Sequence, residues 1–540
     1  MSDITFGPAH EQARAVASGE VSSVELVDLY LERIAAHNRR LNAIVTLDPD
    51  RARAEAAAAD SKRATGEELG LLHGLPITLK DSFETQGMRT VCGRPDLEGY
   101  VPNQDAEAVT RLRAAGAVIR GETNMPAGNQ DVQADNPVFG PTSNPWDLSR
   151  TSGGSAGGGA VATAAGLTSF DFGSEIGGST RIPSHFTGLY GHKSTWHSIP
   201  LAGHVPGGPG AGRWLDMDMA CAGAQVRDPR DLAPILQATV GPLDPDGGFC
   251  YTLRPPRATK LEDFRVAVWI DDPACPVDSD IATAMDDART VLEAAGTTVV
   301  EHPASLPVDI ATSHKAFRPL VYGAFSYDRS GLTPASNAAL LGRLLQHPRG
   351  DAGHALKGTF QSHYSWMQAD TARHAIRLRW IEFFKDFDVV LMPVAPTVAP
   401  PHHDKLVDKF GRSVDVDGEQ RPYWDQVKWS ALANISGGPA TTIPVRRGRT
   451  GLPVGLQVMG PSGGDLTTIE FAALLGREVT PMCHHRPVRK ETGPFSRPVA
   501  AGANAGVHLL LPARPRHSCP RGAGASRSTP LRAARRLGRP

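Results

Sequence analysis

The sequence predicts an α/β protein, and three observations support this fold class. Short apolar stretches typical of buried strands alternate with longer stretches whose apolar residues recur at helical spacing. A chain of 540 residues, 40% hydrophobic and 21% charged, is long enough to bury a large core. Neither an internal repeat nor a linker composition occurs before about residue 480. We therefore expect one large domain over residues 1–480.

The first predicted elements are a helix with a marked start and a strand that ends in charged residues. Ser22 followed by Glu25 fits a capping box. The apolar residues that fall on one face of this helix are Leu26, Val27, Tyr30, Leu31 and Ile34. The next elements are predicted as an alanine-rich helix at 51–63, a strand at 74–81 ending in Lys80 and Asp81, a helix at 105–115 and a strand at 117–120.

The later elements begin after a glycine-rich run at 152–160. Residues 157–165 are mostly glycine and alanine, so we expect a helix that lies very close to neighbouring backbone. A strand at 167–172 is predicted to lead into a second tight loop at 173–181. The remaining predictions are strands at 266–270 and 389–393 and helices at 279–295 and 365–385.

The composition excludes several classes of protein. No stretch approaches the roughly 18 uninterrupted apolar residues of a membrane span, and the first twenty residues hold no hydrophobic signal core. The six cysteines are scattered without a C-x-x-C pair, which is typical of free thiols in a reducing cytoplasm. The paired histidines at 402–403 and 484–485 lack partners at zinc-ligand spacing. We expect a cytoplasmic protein without a metal or a membrane partner.

The C-terminal segment differs in charge from the rest of the chain. Residues 485–540 contain eleven arginines and one lysine against Glu491, a charge of +11, whereas the whole chain carries −1. Residues 481–540 are predicted to be a disordered basic tail, either a solvated segment or the end of an altered reading frame. Phe495 is its only aromatic residue, so no specific nucleic acid binding is expected.

The glycine-rich run at 152–160 matches one catalytic motif and fails two phosphate-binding ones. No lysine occurs between Lys80 and Lys193, which excludes a Walker A motif, and G-x-G-x-x-G is absent from the run. Residues 153–157 match G-x-S-x-G, the nucleophile elbow of α/β-hydrolases. That elbow requires an apolar strand leading into the serine, whereas the residues before Ser155 are polar and include Pro145.

A third interpretation pairs Ser155 with a lysine base. A seryl hydroxyl is a weak nucleophile at neutral pH unless a base lies beside it. Lysine is a base only when neutral, and with an unperturbed pKa of about 10.4 the neutral form costs about 4–5 kcal/mol near pH 7. Burial can impose such a shift, and Lys80 ends an apolar strand. No lysine follows a serine by three residues, so base and serine would meet only through the fold.

Six stretches in order resemble the amidase signature enzymes. They are GLPITLKD at 74–81, GGSAGG at 153–158, GGSTRIP at 177–183, GLYGHK at 188–193, NISGGP at 434–439 and GLPVGLQ at 451–457. The resemblance covers about residues 8–480, and several motifs in order are far more specific than one glycine loop. It implies the family's fold, a large mixed, mainly parallel twisted sheet covered on both faces by helices.

The resemblance implies a catalytic triad of two serines and a lysine. Ser179 would be the acylated nucleophile, and Ser155, on a cis peptide after Gly154, would pass protons between Ser179 and Lys80. Lys80 would be the final base. The nucleophile of this interpretation is therefore not the serine of the G-x-S-x-G motif.

The resemblance also assigns the residues around the triad. The backbone N–H groups that would stabilise the oxyanion are those of Ile176, Gly177, Gly178 and Ser179. Asp81 and Arg181 would orient the triad, whereas His185 and His192 are expected to pack or to form hydrogen bonds. Glu175 stands where the family usually has aspartate, and its additional methylene is expected to disturb the nucleophile loop slightly.

These features predict an amide hydrolase that forms an acyl-enzyme on Ser179 and needs no cofactor. The alternative is an amidotransferase A subunit, which releases ammonia from glutamine for tRNA-linked amidation and works in a complex. The expected partners are a small-molecule amide and at most a second copy of the chain, as a homodimer. Five aromatic residues either line an acyl pocket or belong to the core, namely Phe317, Tyr322, Phe325, Tyr364 and Trp366.

Overall fold

The computed structural model describes residues 4–205, 217–244, 250–326, 350–404 and 408–479, together with residues 338, 341–342 and 344–346. The predicted basic tail at 481–540 lies outside the described residues. An eleven-stranded sheet runs through the described chain, and α-helices flank it. None of the described helices is both long enough and apolar enough to cross a bilayer.

The helices and strands are numbered here in chain order. The helices are α1 (Ala9–Ser18), α2 (Ser23–Leu41), α3 (Pro49–Ala64), α4 (Glu107–Ala114), α5 (Gly157–Ala164), α6 (Arg181–Thr187), α7 (Leu232–Thr239), α8 (Ser279–Ala294), α9 (Ile310–Phe325), α10 (Asp351–Thr359), α11 (His363–Asp386), α12 (Lys428–Ser436) and α13 (Asp465–Val479). The strands are β1 (Ile44–Leu47), β2 (Pro76–Lys80), β3 (Val118–Thr123), β4 (Asp171–Glu175), β5 (Tyr190–Lys193), β6 (Cys221–Val226), β7 (Arg265–Val268), β8 (Thr298–Glu301), β9 (Val389–Pro393), β10 (Ser413–Val416), β11 (Glu419–Pro422), β12 (Ala440–Arg447) and β13 (Pro453–Met459).

The large sheet combines two parallel blocks with antiparallel strands between them. Its strand order is β1-β3-β2-β4-β6-β5-β12-β13-β9-β7-β8. β2 lies parallel between β3 and β4, and β7 lies parallel between β9 and β8. The strands from β4 to β9 across the centre pair antiparallel, as does β1 at the edge. The predicted α/β class with a large mixed sheet is confirmed.

The pairing of β2 with β4 brings the predicted lysine to the predicted nucleophile loop. Thr78 of β2 lies opposite Asp171 of β4, and Leu79 lies opposite Phe172. Because parallel strands end at the same edge of a sheet, Lys80 at the end of β2 lies beside the last residues of β4. The loop that carries Ser179 starts from those residues.

The predicted start of helix α2 is confirmed by its hydrogen bonds. Ser22 Oγ accepts a bond from the Glu25 N–H at 3.0 Å, and Glu25 Oε2 accepts one from the Ser22 N–H at 2.8 Å. These two bonds form a capping box, which satisfies backbone donors that have no partner inside the helix. The buried face of α2 carries Leu26, Val27 and Tyr30, as the apolar spacing predicts.

The predicted strand at 167–172 is wrong in its position, because the strand in the structure is β4, Asp171–Glu175. The residues before β4 form a turn after α5 that begins at Gly166, whose φ of +67° ends the helix. The Thr168 hydroxyl donates to the Phe170 carbonyl at 2.9 Å, a local bond that competes with strand pairing. Leu167 and Phe170 are buried in this turn, and their apolar side chains gave the pattern of a strand.

Helix α5 lies as close to its neighbours as its glycine content predicts. A Cβ atom on Gly158 would lie 2.3 Å from the backbone nitrogen of Asn124, and one on Gly159 would lie 1.9 Å from Asp171 Oδ2. Larger residues would therefore push α5 away from β3 and β4. Since Ser155 lies two residues before α5, this close approach determines where Ser155 sits.

Candidate active site

The three predicted triad residues come from three separate elements at one edge of the sheet. Lys80 is the last residue of β2, Ser155 lies in the loop before α5, and Ser179 lies in the loop between β4 and α6. Lys80 and Ser155 are fully buried, whereas Ser179 is 9% exposed. A nucleophile must reach its substrate, and of these three residues Ser179 has the greatest exposure.

The Lys80 side chain reaches only uncharged hydrogen-bond partners among the described residues. Its Nζ lies 2.7 Å from Ser155 Oγ, 2.9 Å from the Ser174 carbonyl oxygen and 3.2 Å from Ser174 Oγ. Burial lowers the pKa of Lys80 to about 7, against weaker opposing effects of Cys92, Asp171 and Glu175. A substantial fraction of this lysine is therefore neutral and able to accept a proton at neutral pH.

Ser155 follows a cis peptide bond between Gly154 and Ser155, as the resemblance implies. The backbone here approaches a neighbouring segment, because a Cβ atom on Gly154 would lie 2.8 Å from backbone atoms of residues 131–133. The N–H of Ala156 donates to the Ser179 carbonyl oxygen at 3.0 Å. This bond joins the loop of Ser155 to the loop of Ser179.

The loop before Ser179 presents unpaired backbone donors. The N–H groups of Gly177, Gly178 and Ser179 have no hydrogen-bond acceptor within the part of the chain that the structure describes. Gly178 has a φ of +111°, and a Cβ atom there would lie 2.6 Å from Ser430 Cβ. Glycine is required at this position on both grounds. Free N–H groups next to a nucleophile have the chemistry of an oxyanion hole.

Glu175 and Arg181 form a buried ion pair that holds the two ends of this loop together. Arg181 Nε donates to Glu175 Oε1 at 3.1 Å, and the Thr180 N–H donates to Glu175 Oε2 at 3.2 Å. Burial alone would raise the pKa of Glu175, but the charge and hydrogen bonds of Arg181 outweigh it and lower that pKa. The glutamate side chain, expected to disturb this loop, reaches from the start of the loop to Thr180 and Arg181 at its end.

Arg181 is also tied to the opposite wall of the site. It donates to Gln457 Oε1, to the Ser430 carbonyl oxygen at 2.9 Å and to Asn434 Oδ1 at 2.9 Å. These partners lie on α12 and β13. Arg181 thereby joins the loop of Ser179 to the C-terminal half of the sheet, and its role in orienting the triad stays a prediction.

Asp81 points away from the triad although it follows Lys80 directly. Its Oδ1 accepts the Val91 N–H at 2.8 Å, and its carboxyl group lies beside that of Glu122. Burial raises the pKa of Asp81 to about 6 and raises that of Glu122 well above its usual value, with further repulsion from Asp81. Asp81 therefore contacts the segment after β2, and any effect of it on the triad acts through the backbone.

Ser174 and His204 are site residues that the sequence reasoning missed. Ser174 Oγ lies 3.2 Å from Lys80 Nζ and 2.7 Å from His204 Nε2. Both residues are buried. His204 is 30 positions from Ser174 and lies in no motif, so only the pairing of the segments after β2 and after β5 brings it here.

The other two histidines singled out in the sequence form hydrogen bonds away from the triad. His185 Nδ1 accepts the Gly455 N–H at 2.7 Å, and its Nε2 lies 3.0 Å from the Thr397 carbonyl oxygen. His192 contacts Thr441 and Asp465 through its two ring nitrogens. The prediction that both are packing or hydrogen-bonding residues is confirmed.

No group of three or more potential ligands among the described residues could hold a metal ion.

Of the five candidate aromatic residues, Phe317 lies beside the loop of Ser179. Phe317 of α9 is buried, and a Cβ atom on Gly177 would lie 3.1 Å from its Cζ. Tyr322, Phe325 and Trp366 are partly buried and pack on the main core, whereas Tyr364 is 71% exposed. Phe317 itself also belongs to the main core, so it combines a core position with a place beside Gly177.

The nucleophile-elbow interpretation finds no support in the local structure of Ser155. No strand runs into Ser155, which is preceded by an irregular loop. The base hydrogen-bonded to its Oγ is Lys80, and no imidazole of a described residue bonds to that oxygen. An α/β-hydrolase elbow needs both the strand and a histidine.

Comparison with known proteins identifies the family of this chain. The family model described as Amidase matches residues 25–469. The A subunit of glutamyl-tRNA(Gln) amidotransferase from Acidothermus cellulolyticus is 32% identical over 488 residues, covering 85% of this chain and 92% of that protein. Indoleacetamide hydrolase of Bradyrhizobium diazoefficiens is 32% identical over 485 residues, covering 87% and 86%. A crystal structure of an amidase superposes with a TM-score of 0.70 at 27% identity, covering 88% and 100%.

The family model spans most of the described chain. The two relatives match this chain over 92% and 86% of their own lengths. The chain belongs to the amidase family, whose enzymes act on the carbon–nitrogen bond of amides.

Proposed function

We propose that this protein hydrolyses a small-molecule carboxamide through an acyl-enzyme on Ser179. The observation that carries the proposal is the 2.7 Å contact between the fully buried Lys80 Nζ and Ser155 Oγ, next to the loop of Ser179. A lysine with a pKa of about 7 can act as a base, and a serine hydroxyl 2.7 Å from its Nζ can carry protons to it. No histidine is needed for this chemistry.

In acylation, Ser179 Oγ attacks the amide carbon while its proton moves to Ser155 Oγ and the Ser155 proton moves to Lys80 Nζ. The charge on the former carbonyl oxygen is stabilised by the free N–H groups of Gly177, Gly178 and Ser179. The tetrahedral intermediate collapses when the leaving nitrogen takes up a proton, returned from Lys80 through Ser155. Ammonia or an amine leaves, and an ester on Ser179 remains.

In deacylation, a water molecule takes the place of the leaving amine. Lys80 again receives a proton through Ser155, so that hydroxide character develops on the water as it attacks the ester. Collapse of the second intermediate breaks the bond to Ser179 Oγ, which recovers its proton by the same route. The products are a carboxylic acid and the free enzyme, and protons balance over the cycle.

The second candidate is the A subunit of a tRNA-dependent amidotransferase. The same triad would then release ammonia from glutamine inside a complex. This candidate is favoured by the 32% identity to the A subunit of such an amidotransferase, which equals the identity to indoleacetamide hydrolase. The two candidates differ in substrate and assembly, and not in the chemistry at Ser179.

We propose the cytoplasm as the compartment and place no metal or organic cofactor in the cycle. The four cysteines within the described residues, Cys92, Cys221, Cys250 and Cys275, are all free thiols. Unpaired buried thiols are typical of a reducing compartment.

The test is ammonia or amine release by the purified chain from aliphatic, aryl and amino-acid amides, including glutamine. We expect turnover of at least one simple amide without partners, and loss of about 10⁴-fold or more of kcat in Ser179→Ala. Trapping the acyl group and locating it on Ser179 by mass spectrometry identifies the nucleophile. Glutamine turnover that appears only when partner subunits are added would favour the amidotransferase instead.

A further inference from the structure

Lys80 Nζ makes two of its three hydrogen bonds to one residue, Ser174, and that residue is bonded in turn to a histidine. Ser174 supplies its carbonyl oxygen at 2.9 Å and its Oγ at 3.2 Å from Nζ. The same Oγ lies 2.7 Å from His204 Nε2. The chain of contacts therefore runs from Ser155 through Lys80 and Ser174 to His204.

The donors and acceptors in this chain are limited in number. A neutral lysine has two N–H groups and one lone pair, and it is a base toward Ser155 only if that lone pair faces Ser155 Oγ. The Ser174 carbonyl oxygen can only accept, so it takes one N–H. The second N–H needs an acceptor, which Ser174 Oγ provides only if its own proton points elsewhere.

We propose that His204 is a positioning residue for the catalytic base, because its Nε2 accepts the Ser174 hydroxyl proton and so makes Ser174 Oγ an acceptor for Lys80. Both N–H groups of Lys80 then point to Ser174, and its lone pair faces Ser155. This inference rests on the proposed function, since it assigns a role in delivering the Lys80 lone pair.

The same arrangement serves the protonated state of Lys80. An ammonium group has three N–H donors, and Ser174 O, Ser174 Oγ and Ser155 Oγ are three acceptors at 2.7–3.2 Å. When Lys80 takes up the proton from Ser155, its third N–H group therefore points to Ser155 Oγ, which is already in place as an acceptor. No partner of Lys80 has to move between the two halves of the cycle.

The surroundings of His204 hold its ring in place and keep it uncharged. Its ring packs on Phe83 with centroids 5.1 Å apart, and its backbone N–H donates to the Leu201 carbonyl oxygen at 2.9 Å. Burial, together with the charge of Lys80, lowers the pKa of His204 to about 3. A neutral imidazole whose Nε2 accepts carries its proton on Nδ1.

The test compares variants at position 204 on an amide that the wild type hydrolyses. His204→Phe keeps the ring packed on Phe83 and removes the acceptor, so the Ser174 hydroxyl is free to donate to the Lys80 lone pair in competition with Ser155. We expect kcat to fall about tenfold with KM within about twofold, the cost of about one misplaced hydrogen bond. His204→Gln restores an acceptor near the Nε2 position and should recover at least about half of kcat.

A double-mutant cycle separates positioning from packing. In a Ser174→Ala background no hydroxyl is left to misdirect, so adding His204→Phe should lower kcat by less than about twofold. The inference is overturned if His204→Phe keeps wild-type kcat, or if it costs about tenfold in both backgrounds. Should His204→Phe fail to fold, His204→Asn replaces it. Asparagine is too short to reach Ser174, and kcat equal to that of His204→Gln would also overturn the inference.

A fluorophosphonate probe keeps this outcome distinct from failure of the proposed function. The probe should label Ser179 in the wild type, detected by mass spectrometry, and should label His204→Phe about tenfold more slowly. If the wild type neither reacts at Ser179 nor hydrolyses an amide, the proposed function fails. If the wild type does both and the His204→Phe rates match it, only the inference about His204 fails.

Discussion

Two fully buried cations flank the loop of Ser179, and they differ in their partners. Lys80 is hydrogen-bonded to two serines, whereas Arg181 is paired with the Glu175 carboxylate. Desolvation disfavours a charge in both places. Without a bonded carboxylate, Lys80 responds by a fall of its pKa to about 7. Arg181 instead has the carboxylate of Glu175 beside it, which compensates its charge.

Under the proposed function the two cations have different roles, because Lys80 would transfer protons and Arg181 would hold the loop of Ser179 in place. A buried cation becomes a base when its neighbours are neutral hydrogen-bond acceptors and when its unperturbed pKa is within reach of burial. A buried cation becomes a structural link when a carboxylate compensates its charge. Replacing each cation by methionine should therefore give opposite results.

The largest expected effect is the loss of the base in Lys80→Met. We expect kcat to fall about 10⁴-fold, because Ser155 then has no group to take its proton. A lysine held at a pKa of about 7 disfavours folding at pH 7, and removing it also loses its hydrogen bonds. The unfolding free energy at pH 7 should therefore show a net rise of about 2 kcal/mol. Turnover and urea unfolding measure the two quantities.

The wild type is the control for the predicted change in the unfolding free energy of Lys80→Met. A lysine whose pKa is lowered in the folded state binds fewer protons there, so wild-type stability should rise from pH 7 to about pH 10. The gain from Lys80→Met should shrink over the same range. A variant that is inactive and also less stable at pH 7 would contradict the view of Lys80 as a base kept at a cost.

The next effect is the loss of stability in Arg181→Met. This change leaves the buried Glu175 carboxylate without its partner, and we expect the unfolding free energy to fall by about 3–5 kcal/mol. The matched control is Arg230→Met, which removes a partly exposed pair with Asp228 and should cost less than about 1 kcal/mol. Equal losses in the two variants would remove the distinction between a buried link and a surface pair.

A smaller effect is the pH dependence that the Lys80 pKa predicts. Only neutral Lys80 accepts a proton, so kcat/KM should rise with pH through about 7 and level off above about pH 8. Between pH 7 and pH 5 it should fall about 50-fold, measured on an amide without a titrating group. Asp171, whose pKa burial raises to about 7, is a second group in this range.

The variant Asp171→Asn assigns this pH dependence to one group. The asparagine side chain keeps an oxygen for the Thr78 and Thr123 hydroxyls, which donate to Asp171 Oδ1 at 2.8 and 3.1 Å. We expect the acidic limb of kcat/KM to remain in this variant. Its disappearance would assign the limb to Asp171 and would remove the evidence for a lysine base.

The smallest effect is expected for Glu175→Asp, which restores the residue that the family usually has. The shorter side chain lengthens its bonds to Arg181 and to the Thr180 N–H, so we expect kcat to fall about threefold and the unfolding free energy to fall by about 1 kcal/mol. A higher kcat in this variant would instead support the expectation that glutamate disturbs the loop.

Much of the fold could be predicted from the sequence where local signals are strong. The capping box at Ser22 and the glycine content of α5 depend on short-range geometry, and both predictions hold in the structure. The strand at 167–172 was misplaced because apolar residues in a buried turn and in a buried strand give the same pattern. Residues 167–172 are buried, as the apolar pattern indicates, but only Asp171 and Phe172 of them lie in a strand.

The motifs in the sequence were enough to identify the family, to name Lys80, Ser155 and Ser179 as candidates, and to show that no lysine or histidine stands beside Ser155 in the chain. The partners that each of these groups meets became known only from the folded chain. Asp81 follows Lys80 in sequence yet faces Glu122, whereas His204 is remote in sequence yet bonds to Ser174. The physical reason is that pKa and proton direction depend on burial and on partners from distant strands. Residue order alone contains neither.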